Sequence, residues 1–361
     1  MSYRALWTGD LHASNSLPYA AKGAQLVTDR LLDVVSVLDA MVSHAKQHDI
    51  SDIWILGDLL DRRLLDAITL KLVMERLDVM LARDIHVRLL PGNHEAYDAS
   101  CHHYTVEAFQ SIGVEVFSEP SIIDVKDGPR FLAVPYLPEA RAIEAFNDFE
   151  GKKEETVLLL HQTIRGGKIG DWAISEGIDP ALLKQYHTTL SGHFHTPQKV
   201  VSGVHYLGAP LQHNFGDMGE SRGFWDILFG DKIATAMEKV ATDTPAFFET
   251  DWPLSAEIKD QLKANPGCYF RVKVRGTPAA LKKLVPEAEA ECQRLLHEGA
   301  RMAKVEPIME AEAKTRLAVS EGGARSWPKL VDGYIDVCDV SGLAMERLRA
   351  LGAELLSEAE G

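Results

Sequence analysis

Little in this sequence would staple the chain covalently or seat it in a membrane. Its 361 residues include only 4 cysteines, Cys101, Cys268, Cys292 and Cys338, with no CxxC pair among them. Thiols so scattered frame neither a zinc site nor a disulfide set, and a reducing cytoplasm is their natural setting. No apolar run approaches the ~20 residues that a membrane span needs. The first residues, Met1-Ser2-Tyr3-Arg4, run directly into a strand-like stretch, which leaves no room for a secretory signal. A cytoplasmic protein with no membrane partner is the expectation. Positive charge is also short: 38 Lys+Arg face 53 Asp+Glu, a formal net charge of −15. That balance opposes nonspecific attraction of the whole surface to nucleic acid without excluding a local site. Repeats and low-complexity tracts are lacking too, and a composition 46% hydrophobic and 25% charged is that of an ordinary globular protein.

What is present is a set of short blocks rich in acids, amides and imidazoles, each just past an apolar run. They are Gly9-Asp10-Leu11-His12, Gly57-Asp58, Gly92-Asn93-His94, His161 and Gly192-His193-Phe194-His195. The runs before them include Ala5-Leu6-Trp7, Ile53-Trp54-Ile55-Leu56 and Val157-Leu158-Leu159-Leu160. Ligands collect beyond the carboxyl ends of strands in an open α/β sheet. Five strands are therefore expected to bring Asp10, His12, Asp58, Asn93, His161, His193 and His195 to one sheet edge. A carboxylate such as Asp58 can bridge two cations about 3.5–4 Å apart, the spacing of hydrolytic two-metal sites. Oxygen and nitrogen donors without thiolate favour Mn, Fe or Zn. The glycines at 9, 57, 92 and 192 are expected to let the strand ends turn sharply. His94 follows a ligand directly and is placed to protonate a leaving alkoxide. These parts suit in-line attack of a metal-bound hydroxide on a phosphorus ester. Any one histidine alone is more often structural, and His44, His48, His86, His187, His205 and His297 are assigned to that class.

The order of elements predicts an α/β architecture. Helices are expected over 25–48 and 65–82, and another from Asp98 or Ser100 to about Ile112. After His195 the pattern is strand and turn, and these later strands are expected to form a second sheet packed on the first, a two-sheet β-sandwich flanked by helices. Residues 242–253 read as a connection. Beyond it, Leu254–Ala264 reads as a helix, Cys268–Arg275 as a strand, Pro278–His297 as a helix and Met302–Ile308 as a strand, the content of a small α+β domain. Two C-terminal helices are expected at Trp327–Asp339 and Leu343–Leu356. The divisions are 1–245, 246–310 and 325–361.

The blocks DxH, GDxxDR (Gly57 to Arg62), GNHE (Gly92 to Glu95), His161 and GHFH resemble those of the calcineurin-like metallophosphoesterases. Within that superfamily, Gly208-Ala209-Pro210-Leu211-Gln212, Asn214-Phe215-Gly216 and Arg222-Gly223-Phe224 are similar to a stretch of the SbcD-type DNA double-strand-break repair exonucleases, including phage recombination nucleases. Ala209 stands where a serine is usual. The resemblance implies a metallophosphoesterase domain, a DNA-capping domain over 246–310, and two divalent ions, manganese foremost, with Mg, Fe or Zn possible. It places one ion on Asp10, His12, Asp58 and His195, and the other on Asp58, Asn93, His161 and His193, with His94 as the acid. Some relatives carry a histidine three residues after the bridging aspartate; Asp61 occupies that position, where it can orient Arg62 or a ligand histidine. The implied partners are DNA, a SbcC-type coiled-coil ATPase met by the last helical segment, and a second copy of the chain through helices near 65–112.

The implied activity is DNA-end hydrolysis by an exonuclease, with endonuclease action as an extension, in repair or recombination. Period-two geometry puts Arg271, Lys273 and Arg275 on one strand face, a row suited to a phosphate backbone. Arg62, Arg165 and Lys168 are the other candidate DNA contacts. The alternatives are a phosphodiesterase or phosphatase of nucleotides and small phosphoesters, and a non-catalytic scaffold.

Overall fold

The computed structural model describes residues 2–21, 26–219, 221–230, 235–255 and 257–310. Two six-stranded sheets face each other. The first holds β1 (Tyr3–Thr8), β2 (Asp52–Leu56), β3 (His86–Leu90), β4 (Glu115–Val116), β13 (Gly223–Phe229) and β14 (Thr235–Ala241), in the order β14-β13-β1-β2-β3-β4. The second holds β5 (Ser121–Asp124), β6 (Arg130–Val134), β7 (Thr156–His161), β10 (Thr188–Gly192), β11 (Gln198–Val201) and β12 (Val204–Tyr206), in the order β11-β12-β10-β7-β6-β5. A two-stranded hairpin, β8 (Lys168–Ile169) and β9 (Trp172–Ala173), projects after β7. The helices are α1 (Asp29–Gln47), α2 (Ala67–Leu81), α3 (Glu139–Asn147), α4 (Pro180–Leu183), α5 (Glu257–Ala264) and α6 (Pro278–His297).

The central strands are buried on both faces, and their alternation sorts side chains between two cores. In β1, Ala5 and Trp7 face the opposite sheet while Leu6 faces the helices. In β7, Val157 and Leu159 point between the sheets, and Leu158 and Leu160 point outward. Trp7 and Trp54 stack in the intersheet core with centroids 5.0 Å apart. The outer layer is started by side-chain caps that satisfy free helix N–H groups. Thr28 accepts from Leu31 N–H in α1, and Asp66 accepts from Ile68 and Thr69 N–H in α2.

A third sheet, β15 (Phe247–Asp251), β16 (Tyr269–Gly276) and β17 (Met302–Met309), is wholly parallel and is covered by α5 and α6. It is fixed to the sandwich through α1. The buried guanidinium of Arg30 donates to the Gln212 carbonyl at 2.7 Å and lies over the rings of Phe247 and Tyr269. Arg301 reaches Asp33 at 2.7 Å.

Four expectations are corrected. The strands after His195 do not make a sheet of their own: β13 and β14 extend the first sheet beside β1, and β11 and β12 extend the second beside β10. The metal-type blocks consequently leave two sheets and not one edge. Residues 242–253 are not merely a connection, because β15 lies there. Its Phe247 stacks on Tyr269 and its Phe248 on Phe270, long-range contacts that no local pattern announces. The helix expected from Asp98 is instead a turn followed by a 3-10 helix over Thr105–Ile112. The Asp98 carboxylate accepts the Ser100 N–H at 2.8 Å and so closes the chain on itself, the competition by which Asp disfavours helix. The C-terminal helices expected within 325–361, and the ATPase contact assigned to them, lie outside the described residues. Among the described residues no helix is long and apolar enough to cross a membrane.

Candidate metal centre

The loops after β1, β2, β3, β7 and β10 meet where the two sheets come together. His161, the last residue of β7, is the joint: its Nδ1–H donates to the Leu56 carbonyl of β2 at 2.7 Å. That bond fixes the tautomer and leaves Nε2 facing the Asp58 Oδ2 at 3.2 Å and the Asn93 Oδ1 at 3.2 Å. His193 Nδ1 stands 2.9 Å from the same Asn93 oxygen. On the other side, His12 Nε2 lies 3.8 Å from Asp58 Oδ2 and 3.2 Å from His195 Nε2. Asp58 is thus flanked by one imidazole group on each side.

The backbone is bent to achieve this. Asp10, His12, Asp58 and His193 all have positive φ, at 54°, 49°, 50° and 95°. Such values are uncommon for residues with a side chain and gather at functional sites. The glycines serve a purpose other than the one expected at most positions. Gly57 does take a positive φ of 86°, whereas Gly92 is needed for proximity: a Cβ there would lie 2.1 Å from Asp58 Oδ1.

Three sets of groups lie close enough to share an ion: His12, His195 and His213; His12, Asp58 and His94; and Asp58, His161 and His193. Asn93 adds an amide oxygen to the last. Asp10 is buried beside them, but its carboxylate accepts the His193 N–H at 2.9 Å and lies outside the three sets. His94 is held at its edge, its Nδ1–H donating to the Asp61 carbonyl at 2.5 Å and its Nε2 4.0 Å from Asp58. Asp61 itself bridges His12, at 3.7 Å, and Arg62, at 2.9 Å.

Sequence reasoning passed over four residues that hold this arrangement. Glu95, fully buried, accepts N–H groups of Asp58, Leu60 and Gly92 and so ties the loops after β2 and β3 together. Asp217 stands 3.3 Å from His195 Nδ1 and accepts the His213 N–H at 2.9 Å. Arg222 donates to the carbonyls of His195 and Asp217. His213 donates from Nε2 to the Asp10 carbonyl at 2.8 Å, and its buried Nδ1 has no partner among the described residues. All four fall within or beside the quoted motif stretches, His213 directly between Gln212 and Asn214, but none ends a strand-like run as the other site residues do.

The charges are strongly interdependent. Burial works against a charged His161, but Asp58 and Asp10 outweigh it and raise its pKa to about 9. Burial pushes Asp10 up to about 6 and Glu95 up to about 7, the latter helped by the charge on Asp58. Burial and the neighbouring His161 lower His193 to about 3. His12 is held well below its ordinary value by burial and then by His213. Neutral His12 and His193, ionised Asp58 and an amide oxygen are donors that suit divalent first-row ions, and His161 joins them on giving up its proton. Two nitrogens each about 2.1 Å from one ion, near a right angle, are roughly 3 Å apart, which the His12–His195 separation matches.

The cations expected to meet DNA fare differently from one another. Lys168 is exposed and lines a cleft with His193 and His195. Arg62 pairs with Asp61, and Arg165 with Asp179. Arg271, Lys273 and Arg275 do share a face of β16, but Glu249 and Asp251 of β15 pair with all three. The row is therefore offset by acids that parallel pairing places alongside it.

A family model described as calcineurin-like phosphoesterase matches residues 3–197. Exonuclease subunit 1 of Enterobacteria phage T4 is 23% identical over 326 residues, 88% of this chain and 90% of that protein. A putative phosphoesterase of Invertebrate iridescent virus 3 is 25% identical over 225 residues, 60% of each chain. Among solved structures, a dimetal phosphatase from Danio rerio superposes with a TM-score of 0.39 at 11% identity, covering 66% of this chain and 98% of the other.

Proposed function

Because the chain belongs to the calcineurin-like phosphoesterase family, we propose that it is a metal-dependent DNA nuclease that hydrolyses phosphodiester bonds at DNA ends in repair or recombination. The observation that carries this reading is the extent of the likeness to the phage exonuclease subunit. It spans 88% of the chain, well past residues 3–197 of the family model. A hydrolase of small esters has no evident need for the third sheet. The divisions we propose are a catalytic domain over 1–245, a DNA-capping domain over 246–310 and a partner-binding segment over 325–361, its partner being a coiled-coil ATPase.

In this reading Asp10, His12, Asp58 and His195 would hold one ion and Asp58, Asn93, His161 and His193 the other, with manganese favoured over Mg, Fe or Zn. When bound, the ion pair polarises the phosphorus ester and activates water. The chain's own residues do the rest. Leu56 and Asp217 orient the rings of His161 and His195. Asp61 fixes His94 through its carbonyl, so that Nε2 is the atom available to pass a proton to the leaving oxygen. Lys168 is the candidate cation for backbone phosphates that no described carboxylate pairs, whereas Arg62, Arg165, Arg271, Lys273 and Arg275 must first exchange one.

The test is digestion of end-labelled duplex and single-stranded DNA with Mn or Mg, with and without a candidate ATPase, beside hydrolysis of a small model diester. Shortening of the labelled strands supports the nuclease. Turnover of the small diester with no DNA digestion assigns the chain to nucleotides or small phosphoesters instead.

A further inference from the structure

The β8–β9 hairpin carries a feature that phosphodiester hydrolysis leaves unused. Its turn is Gly170-Asp171, and Ile169 pairs directly with Trp172 across the ribbon. Directly opposed residues place their side chains on the same face. Ile169 is 58% exposed and Trp172 81%, the latter the most exposed large hydrophobic among the described residues.

This apolar tip stands on a fixed root. Gly166 N–H donates to the Ile174 carbonyl at 2.9 Å, and Ile174 N–H donates back to Gly167 at 2.8 Å. The Gln198 amide brackets Lys168, accepting its N–H at 2.7 Å and donating to its carbonyl at 2.9 Å. Gly167 lies so close to Phe194 that a Cβ would approach its ring to 2.8 Å. Phe194 sits between His193 and His195, so the hairpin is anchored to the ligand loop itself. Lys168, Ile169 and Gly170 accordingly line a cleft of about 240 Å³ together with His193, His195 and Asn214.

We propose that Ile169 and Trp172 form a stacking platform for an unpaired nucleobase at a DNA end, with Lys168, on the opposite ribbon face and lining the adjoining cleft, meeting a phosphate further along the strand. The inference rests on the nuclease reading and names the form of substrate it takes, a single-stranded or frayed terminus. An indole offers a π-face to any base, and stacking of this kind is tolerant of sequence. Ile169 of the platform also lines the cleft that holds His193 and His195, which favours a nucleic-acid occupant over a protein one: a strand running from the platform along the cleft would carry its phosphate to the site.

The experiment uses the full chain loaded with Mn and a fluorescent single strand whose two terminal linkages are methylphosphonates, which resist hydrolysis. One version ends in a normal nucleotide and the other in an abasic one. The wild-type protein is expected to bind the first about tenfold more tightly, the order of one base stacked on one aromatic ring. Trp172→Ala is expected to bind both alike, at the abasic level, and Trp172→Phe to recover most of the preference. A Trp172→Ala protein that keeps the preference overturns the platform and makes this tip a protein-contact face. A wild-type protein that binds both strands equally overturns the platform while leaving the nuclease reading standing. A wild-type protein that binds neither and digests no DNA removes both.

Discussion

His12 and His195 are 183 positions apart in the chain, yet their Nε2 atoms stand 3.2 Å apart. With each Nδ1–H turned to a carboxylate, both Nε2 atoms present lone pairs to one another, an arrangement that a cation between them would satisfy. Asp217 behind His195 and Asp61 behind His12 hold the pair in place. Substitution His195→Ala is expected to reduce bound metal from two ions to one per chain, measured by elemental analysis after gel filtration, and to lower diester turnover by more than about a hundredfold. Two ions retained would remove His195 from the ligand set.

His94 is expected to act on protons and not on metal. It is 40% exposed at its side chain, the mark of a group that meets substrate. His94→Ala is expected to lower kcat by about 10²–10⁴-fold, the range of general acid–base catalysis, with metal content unchanged. A leaving group of low pKa, such as nitrophenolate, is expected to restore much of the loss, since it departs without a proton.

Metal loading is expected to depend on pH through His161. Its pKa is raised to about 9 in the metal-free chain, despite burial, by Asp58 and Asp10. A raised histidine contributes stability that is complete below its ordinary value of about 6.5 and lost as pH climbs through the folded value. A ligand histidine must be neutral. Manganese affinity is thus expected to rise about tenfold per pH unit from 7 toward 9 and to level above that. Titration calorimetry in buffers of different ionisation enthalpy would show about one proton released at pH 7. Affinity independent of pH over that window would contradict the assignment.

Gly92 tolerates no side chain, because Asp58 Oδ1 and Asp58 N occupy the space, at 2.1 and 2.5 Å from a Cβ. Gly92→Ala is expected to displace Asp58, abolish binding of both ions and lower stability by about 1–3 kcal/mol. Circular dichroism melts and metal analysis together would separate this from simple unfolding.

The sequence read most clearly where chemistry and periodicity coincided. A strand ending in an acid or imidazole is a local pattern, so Asp10, Asp58, His161 and His193 could be picked out without knowing how they meet. The partition of strands between sheets was hidden because β7 and β1 look alike, each apolar on both faces. β15 was hidden because its alternating acids are explained only by Arg271, Lys273 and Arg275 on the neighbouring strand. The role of His213, which lies between two quoted stretches, was hidden for a related reason: it sits in a loop and acts through the Asp10 carbonyl, 203 positions away.

The paired centre is tested most directly by anomalous scattering from crystals of the chain soaked in manganese. Two peaks about 3.5–4 Å apart, with Asp58 the ligand common to both, are the expected result. One peak, none, or peaks remote from Asp58 would contradict a two-metal hydrolytic site.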